Sequence, residues 1–374
     1  MEGIRHTWRR MPGRSRLLAL ALPVVLVAGA AGFAVSAVTL TPRPTSTDAP
    51  QASAPPIAAA TPLPLPPEPS VDPSASPEPT PTPAPAGADP LLGTDGRLTV
   101  LLLGSDYRPA HPGNRTDAIM VVSVDPSTGQ AAGFSIPRDT VDFPLPSGGV
   151  FRAKVNALYQ DLQSRTGNGG VALSGAVSKA FGIEIDGYVF IGFAGVKDLV
   201  RAVGGVDVTL DRPYYDPEYW VTATHRGWGL PAGRSHLGPN DALIFARSRK
   251  GDNDFGRARR QQMLVLAALE RVRKAGIAKL PTLLGIARDT VRTNLPLSRA
   301  PDLFAVVGST NIAQVDRIVF GPRTFANAVG GSSFALNLSV CRAWIKSHFP
   351  AVRPMAHWPD DVAAATVPSG SATS

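Results

Sequence analysis

Four short segments of the chain carry arginines and aspartates at points where strand or helix ends are expected. The segments are 104–108 (GSDYR), 115–117 (RTD), 136–140 (IPRDT) and 245–257 (FARSRKGDNDFGR). Guanidinium groups bind phosphate oxygens in a bidentate manner and stay charged at any working pH. Carboxylates beside them would weaken anion binding unless a cation lay between, and Mg²⁺ prefers carboxylate, water and phosphate oxygens as ligands. The mixture therefore predicts a magnesium–pyrophosphate site.

The helical pattern after the fourth segment continues an apolar stripe with two polar residues, Arg257 and Gln261. On a helical wheel of about 100° per residue, three apolar residues fall within about 60° of Arg257: Leu264, Ala268 and Val272. Arg257 and Gln261 are therefore predicted to point into a cleft. Arg259 lies about 160° from Arg257 and is predicted to face solvent, whereas Arg260 is borderline.

Each of these patterns also has a purely structural interpretation. Arg115 and Asp117, which share a face of an extended chain, are most often a salt bridge. A lone Arg138-Asp139 at a strand end is mostly loop chemistry, and Arg247 with Arg249 could form a solvated turn. The joint pattern favours a functional site, because the charged groups all lie at strand or helix ends.

Other chemistries are excluded by missing residues. No GxxxxGK[ST], GxSxG or HExxH motif is present, and the six histidines show no metal-ligand spacing. The single cysteine, Cys341, rules out an intrachain disulfide, a zinc finger and a CxxC redox centre.

Four nearly continuous apolar runs predict strands that are buried on both faces: 98–104, 118–124, 133–136 and 187–193. Helical patterns fall between and after them: 154–164, 170–181, 195–202 and 257–275. This alternation predicts an α/β fold with helices on both faces of one sheet. Residues 281–349 continue with helical and strand-like pieces and are expected to complete the same domain.

An uncharged apolar run over residues 17–40 follows five arginines. Its length suits one transmembrane helix, and the arginines predict a cytoplasmic basic tail over 1–16 with the folded domain outside the cell membrane. A cleaved signal peptide, with Val35-Ser36-Ala37 as the cleavage site, is the competing interpretation. Residues 41–90 are rich in proline and predict a disordered linker; glycosylation of this stalk is the alternative to a plain spacer.

The chain has 37 Lys and Arg against 29 Asp and Glu, a net charge of +8. Residues 1–90 hold six of each sign, so the whole excess lies in the folded part. A basic domain indicates a polyanionic partner: nucleic acid, anionic lipid, or a phosphorylated or acidic polymer.

Together the motifs resemble the LytR-CpsA-Psr family. The resemblance covers roughly residues 95–275 and includes GSD-x-R, RTDAIMVVSVDPSTG, SIPRDT, KVNALY, VRAVGGVDV, HLGPNDALIFARSR and DNDFGRARRQQ. It implies a three-layer α/β/α sandwich with a mostly central mixed sheet, with the catalytic domain at 91–275. The residues that follow predict a C-terminal completion of the domain at 276–358 and a disordered tail at 359–374. It also implies a phosphotransferase that moves a glycopolymer from a polyprenyl-pyrophosphate carrier onto peptidoglycan through a phosphodiester.

The resemblance also implies roles for particular residues. Mg²⁺ would be held by Asp106 and Asp117. Apart from the resemblance, Asp139 is one candidate for the general base that the acceptor hydroxyl needs. The pyrophosphate would be bound by five arginines with help from Gln261: Arg115, Arg138, Arg247, Arg249 and Arg257. After residue 275 no functional residue can be carried over.

Three rival functions remain open at this point. A transcriptional regulator is opposed by the topology, because a DNA-binding domain would lie outside the membrane; no nucleic-acid partner is therefore expected. A non-catalytic binder of wall polymer would not need Mg²⁺, and a lipid-pyrophosphate hydrolase would use water as the acceptor. The glycopolymer could be teichoic acid, capsule or arabinogalactan, and the abundance of Ala, Gly, Pro and Arg favours a GC-rich genome and an actinobacterial-type wall.

Overall fold

The computed structural model describes residue 89 and residues 91–106 and 115–352. The strands, in chain order, are β1 (Leu98–Ser105), β2 (Thr116–Val124), β3 (Ala131–Ser135), β4 (Thr140–Val141), β5 (Phe143–Pro144), β6 (Val150–Phe151), β7 (Gly187–Gly192), β8 (Val206–Leu210), β9 (Tyr214–Trp220), β10 (Arg226–Leu230), β11 (Gly233–Leu237), β12 (Val291–Thr293), β13 (Asp316–Val319), β14 (Ala326–Gly330) and β15 (Ser333–Leu336). The helices are α1 (Leu158–Thr166), α2 (Gly169–Phe181), α3 (Phe193–Ala202), α4 (Pro239–Arg247), α5 (Asp254–Ala275), α6 (Leu280–Thr290), α7 (Ala300–Ser309) and α8 (Leu338–His348). Short 3₁₀ turns lie at 155–157, 277–279, 297–299 and 312–314.

Six strands form the central sheet in the order β12-β7-β1-β2-β3-β13. The β1–β7 and β3–β13 pairs are parallel, and the other three pairs are antiparallel. The sheet is therefore mixed, as predicted. It lies in the middle of the fold because its central strands are nearly continuous runs of apolar residues that are buried on both faces.

One apolar core lies on each face of the sheet. On one face, side chains of β1 and β2 pack with α3, α4, α5, α6 and α7. On the other face, alternate residues of the same strands pack with α1, α2 and α8. Helices thus cover both faces, which confirms the layered α/β architecture.

The predicted elements correspond closely to the observed ones. The apolar run 187–193 ends as a strand at Gly192, and Phe193 begins α3. The helical pattern at 154–164 begins as a 3₁₀ turn and continues as α1 to Thr166. The predicted helix at 257–275 begins three residues earlier, at Asp254, because the Asn253 side chain accepts hydrogen bonds from the backbone N–H groups of Phe255 and Gly256.

Residues after 275 extend the same sheet at both of its edges. Strand β12 adds antiparallel to β7, and β13 adds parallel to β3. Helix α8 packs against α2, and Cys341 within it is fully buried.

The two ends of the described domain meet at the start of β1. The backbone N–H of Val352 donates to the carbonyl of Asp95 at 2.7 Å. Arg97, 1% exposed, donates from Nε to the Ser123 hydroxyl at 2.7 Å and from Nη1 to the Pro350 carbonyl at 3.4 Å.

In the part of the chain that the structure describes, no helix combines the length and apolar character needed to cross a bilayer. The predicted transmembrane helix at 17–40, nearly all of the linker and the tail at 359–374 lie outside the described residues.

Candidate functional site

A charged cavity of about 190 Å³ opens where β1 ends, between that strand, the loop after α4 and the first turns of α5. This charged cavity is lined by Gly104, Ser105, Asp106, Asp117, Ala118, Phe193, Leu243, Ala246, Arg247, Arg249, Arg257, Gln261 and Leu264. Six residues predicted from sequence to form the site are among them: Asp106, Asp117, Arg247, Arg249, Arg257 and Gln261.

A β-bulge turns Asp117 toward this cavity. Gly104 pairs with Ala118, but the next residue of β1, Ser105, pairs with Thr116. Asp117 is therefore the extra residue on β2, and such bulges re-aim side chains near functional sites.

The carboxylate of Asp254, at the start of α5, is the centre of an arginine cluster. It contacts Arg138 Nε at 3.1 Å, Arg249 Nε at 3.0 Å and Arg257 Nη1 at 3.4 Å. Burial opposes ionisation of Asp254, but the charges of Arg257, Arg138 and Arg249 outweigh it and hold the pKa of Asp254 below its usual range. Asp254 thus joins arginines from two of the four segments, 136–140 and 245–257.

Sequence reasoning did not select Asp254 as a site residue. An aspartate in the first turn of a helix is adequately explained by the helix dipole, and the long-range partner Arg138 is 116 positions away. The one sequence feature that could have indicated a role for Asp254 in the site is its position in the DNDFGR segment, two residues before Gly256 and three before Arg257.

Arg257 is buried with an incomplete set of partners. It is 4% exposed, and no described residue accepts a hydrogen bond from its Nε. Burial lowers the pKa of Arg257 to about 10 even though Asp254 lies beside it. A buried guanidinium with an unused donor at the wall of a cavity is suited to an anionic ligand.

The predicted register of α5 agrees with the burial of its side chains. Arg257, Leu264, Ala268 and Val272 are all buried, whereas Arg259 is exposed. Arg260, borderline in the prediction, is buried and structural: its Nη2 donates to the Ser248 carbonyl at 2.7 Å and to Asp252 Oδ1 at 2.8 Å.

The loop after α4 presents Arg247 and Arg249. The Arg247 guanidinium carbon lies 4.2 Å from the centre of the Phe193 ring, which stacks the cation against the cavity wall. The loop is fixed by Asp216, 1% exposed, whose carboxylate accepts from the Ser248 hydroxyl at 2.5 Å and from the backbone N–H of Arg249 at 2.9 Å.

The remaining predicted residues lie around a smaller neighbouring recess or outside both spaces. Arg138 and Asp139 line that recess with Asp254, and Arg138 Nη1 contacts Asp117 Oδ1 at 2.9 Å. The Asp139 carboxylate is paired with Lys154 Nζ at 2.7 Å. Arg115 is exposed and does not line either space; its backbone N–H donates to Asp106 Oδ1 at 3.1 Å.

The donor set at the mouth of the charged cavity fits Mg²⁺. Within residues 91–106 and 115–352, no three carboxylate, histidine or cysteine side chains converge to hold a metal by themselves. Asp106 and Asp117 nevertheless line the same space, and Mg²⁺ is commonly held by one or two carboxylates with waters and substrate phosphates completing the shell. The two aspartates would therefore suit a cation that arrives with its phosphates.

An apolar cavity of about 80 Å³ continues along the same face of the sheet. Asp106 and Gly104 line the charged cavity, and the alternate residues Leu102, Val100 and Leu98 of the same strand line the apolar one. Helix α5 borders both, through Gln261 and Leu264 and then through Val265, Leu266 and Leu269. The lining is mostly aliphatic, so the space would accept an apolar group such as part of a hydrocarbon chain.

Three comparisons relate the chain to known proteins. The LytR_cpsA_psr family model matches residues 74–334. The polyisoprenyl-teichoic acid–peptidoglycan teichoic acid transferase TagV of Bacillus subtilis (strain 168) is 32% identical over 226 residues, which are 59% of this chain and 55% of that protein. The cell wall biosynthesis protein LcpA of Corynebacterium glutamicum is 29% identical over 274 residues, 62% of this chain and 50% of that protein. The chain thus spans about half the length of these curated relatives.

The crystal structure of B. subtilis TagV has the same fold. It aligns with a TM-score of 0.54 and 26% identity, covering 69% of this chain and 99% of that chain.

Proposed function

The chain belongs to the LytR_cpsA_psr family, and on that premise we propose that it is a phosphotransferase acting on a polyprenyl-pyrophosphate-linked glycopolymer. The enzyme would move the polymer from its carrier onto peptidoglycan through a phosphodiester. The printed name of TagV describes transfer of this kind for that relative, which supports the proposal here.

One observation carries the proposal: a charged cavity and an apolar cavity follow one another along one face of β1, and α5 borders both. A lipid-linked pyrophosphate has both parts, two phosphates and a long apolar chain. The arginines at the first cavity match the phosphates, and the alternating apolar residues of β1 in the second match the chain. A ligand without a lipid tail would leave the apolar cavity unused.

The arginines would stabilise the charge that grows on the phosphates during transfer. Asp254 holds Arg138, Arg249 and Arg257 in place before substrate arrives, so little reorganisation is needed at the moment of reaction. The unused Nε of Arg257 is one donor available to a phosphate oxygen.

The reaction replaces one phosphorus–oxygen bond with another. An acceptor hydroxyl of peptidoglycan would attack the phosphorus nearer the sugar, and the bond from that phosphorus to the bridging oxygen would break. The electron pair leaves with the lipid phosphate, and the hydroxyl proton passes to a base. Asp139 is the candidate base from sequence, although its carboxylate is already paired with Lys154 in this state.

We propose Asp106 and Asp117 as the residues that would hold Mg²⁺. When bound, the ion would neutralise phosphate charge and orient the phosphate oxygens. Asp117 also holds Arg138 through Oδ1, so one carboxylate would serve both the cation and the arginine cluster.

The proposed location is the outer face of the cell membrane. The apolar run at 17–40 would anchor the chain, and the five preceding arginines would keep the N-terminus in the cytoplasm. The substrate carrier is itself a membrane lipid, so an anchored enzyme would meet it at the bilayer surface.

The test incubates the full-length protein in detergent with lipid-linked wall polymers and peptidoglycan, with and without Mg²⁺. The expected products are polymer joined to peptidoglycan through a phosphodiester and free polyprenyl phosphate, formed only with the metal. Release of polymer phosphate at the same rate without peptidoglycan would instead identify a hydrolase. Binding without turnover, unaffected by chelation, would identify a non-catalytic polymer-binding protein.

A further inference from the structure

An open groove of about 560 Å³ lies at one edge of the central sheet, apart from the charged cavity. It is lined by residues of α1, the turn 167–168, the start of β7, the end of α6 and the edge strand β12, and we call it the edge groove. Tyr188 of this groove belongs to the apolar core on the α1 and α2 face of the sheet, whereas Leu264 of the charged cavity belongs to the core on the other face. The edge groove is therefore a separate space, and the proposed transfer does not use it.

Two buried tyrosines place hydroxyl groups at the edge groove. Tyr159 and Tyr188 are 1% and 8% exposed, and both line the groove. No described residue hydrogen-bonds to either phenol hydroxyl. Buried polar groups nearly always have a partner, so water would satisfy these hydroxyls in the free protein. A ligand that enters the groove would replace that water.

The two tyrosines lie close to one arginine. The Tyr159 ring stacks on the Phe190 ring with 4.4 Å between their centres, and the Arg292 guanidinium carbon lies 5.8 Å from the centre of the same Phe190 ring. Burial above all, and then the neighbouring Tyr159, raises the pKa of Tyr188, while the charge of Arg292 opposes this change. Tyr188 therefore keeps its proton and can donate a hydrogen bond, and the three polar groups are near enough to act on one ligand.

The edge groove carries positive charge without a counter-charge. Arg288, at the end of α6, lines it together with Arg292. Both arginines are exposed, and neither lies within ion-pair distance of a described carboxylate. Among the described residues that line the groove there is no Asp or Glu. Guanidinium groups in this setting, beside phenol donors, favour an anionic ligand.

The first turn of α2 lies beside the same donors. A Cβ atom built on Gly170 would lie 2.3 Å from ring atom Cζ of Tyr188, so the hydroxyl end of that ring reaches the turn. Asn168, the N-cap residue of this 13-residue helix, lines the edge groove. The N-terminus of a helix carries partial positive charge and favours phosphate groups, which adds to the attraction of the arginines.

We propose that the edge groove is a second anion site, which binds a phosphate ester of a sugar or polyol. Its donors come from three elements, α1, β7 and β12, and a phosphate group presents more acceptor oxygens to them than a carboxylate does. Aliphatic side chains of α6 and β12 complete the lining and would contact the carbon atoms of the ester. The volume lies within the range of about 300–1,000 Å³ that is typical of small-ligand sites. A flat membrane surface is a poorer match, because it would not reach tyrosines that are 1% and 8% exposed.

The test locates the ligand on the chain. The full-length protein in detergent is titrated with glycerol 3-phosphate, and hydrogen exchange of its backbone amides is followed by mass spectrometry. We expect the ligand to slow exchange at 167–172 and at 291–293. Arg292→Ala should raise the concentration that gives half of this protection about ten-fold, because a charge-assisted contact is lost. Tyr188→Phe should raise it about five-fold, because it removes one donor and keeps the ring.

Arg212→Ala is the matched control, since Arg212 is exposed and lies between β8 and β9, outside the edge groove. It should leave the half-protection concentration unchanged. Protection confined to 247–257, at the charged cavity, would overturn the proposal. Equal protection of the groove by acetate would overturn the assignment of a phosphate ligand, and protection by phosphatidylglycerol vesicles alone would identify a membrane contact instead. Failure of the wild-type protein to transfer polymer would defeat the proposed function alone, because this titration needs no turnover.

Discussion

The buried guanidinium of Arg257 is expected to lower the stability of the free protein while serving its substrate. Burial lowers the pKa of Arg257 from its usual range to about 10. That change corresponds to an unfavourable free energy on the order of 3 kcal/mol for the charged side chain in the folded state. Arg257→Met removes the charge and keeps much of the buried stem, so the free energy of unfolding at pH 7 should rise by ~1–3 kcal/mol.

Activity should change in the opposite direction. Loss of a charge-assisted contact to phosphate costs ~1.5–3 kcal/mol, or roughly 10- to 150-fold in turnover or substrate affinity. Arg257→Ala should show the same loss of activity without the gain in stability, because it also removes packing. Arg257→Lys should recover only part of the activity, since an ammonium keeps the charge but loses the bidentate geometry.

Arg259 provides the control on the same helix. It is exposed two residues further along, and Arg259→Met should alter activity by well under ~1 kcal/mol. The assays are polymer transfer to peptidoglycan and urea unfolding of each variant. Equal losses of activity for Arg257→Met and Arg259→Met would refute the placement of the site. Full recovery by lysine would mean that the cavity responds to charge alone, which favours the non-catalytic binding protein.

Three further predictions concern the metal, the pH dependence of stability and the topology. Asp117→Ala should abolish most transfer at any Mg²⁺ concentration while circular dichroism stays unchanged; wild-type activity that persists in a chelator would contradict the metal assignment. Burial above all, with help from Asp95 and Glu184, raises the pKa of Asp186 to about 7, so the folded protein keeps a proton that the unfolded chain releases near pH 4. The contribution of Asp186 to the free energy of unfolding should therefore fall by on the order of 4 kcal/mol between about pH 4 and pH 7. In denaturant titrations, Asp186→Asn should be more stable than the wild type at pH 8 but not at pH 4. Protease added to intact cells should remove residues 91–374, and full protection would defeat the outward orientation.

The fold could be predicted from sequence because its signals are local and strong. Continuous apolar runs such as 118–124 and the amphipathic pattern of α5 leave few alternatives. The small outer strands were not predicted, because pairs as short as β5 with β6 depend on contacts made by the rest of the chain.

The residue types of the candidate site could be predicted from the sequence, but the ion pairs between its side chains could not. The sequence indicates that Arg249 and Arg257 belong to one segment, but not that Asp254 ties both to Arg138. The pairing of Asp139 with Lys154 was missed for the same reason, since ion pairs between distant segments follow from the folded geometry. Arg115 was predicted to bind the pyrophosphate, but it does not line the charged cavity. It directly follows residues 107–114, which are outside the described ranges.

The meeting of the two ends of the described domain beside Arg97 has an engineering consequence. Because Val352 is hydrogen-bonded to Asp95, a short peptide could join these ends, and new ends could be opened at an exposed turn such as 147–149. Strand β1 has eight residues and so separates this junction from Asp106 by roughly 25 Å. A fluorophore or affinity handle attached after residue 352 would therefore be well separated from the phosphate site. A circular permutant joined at this point should fold with its cavities intact.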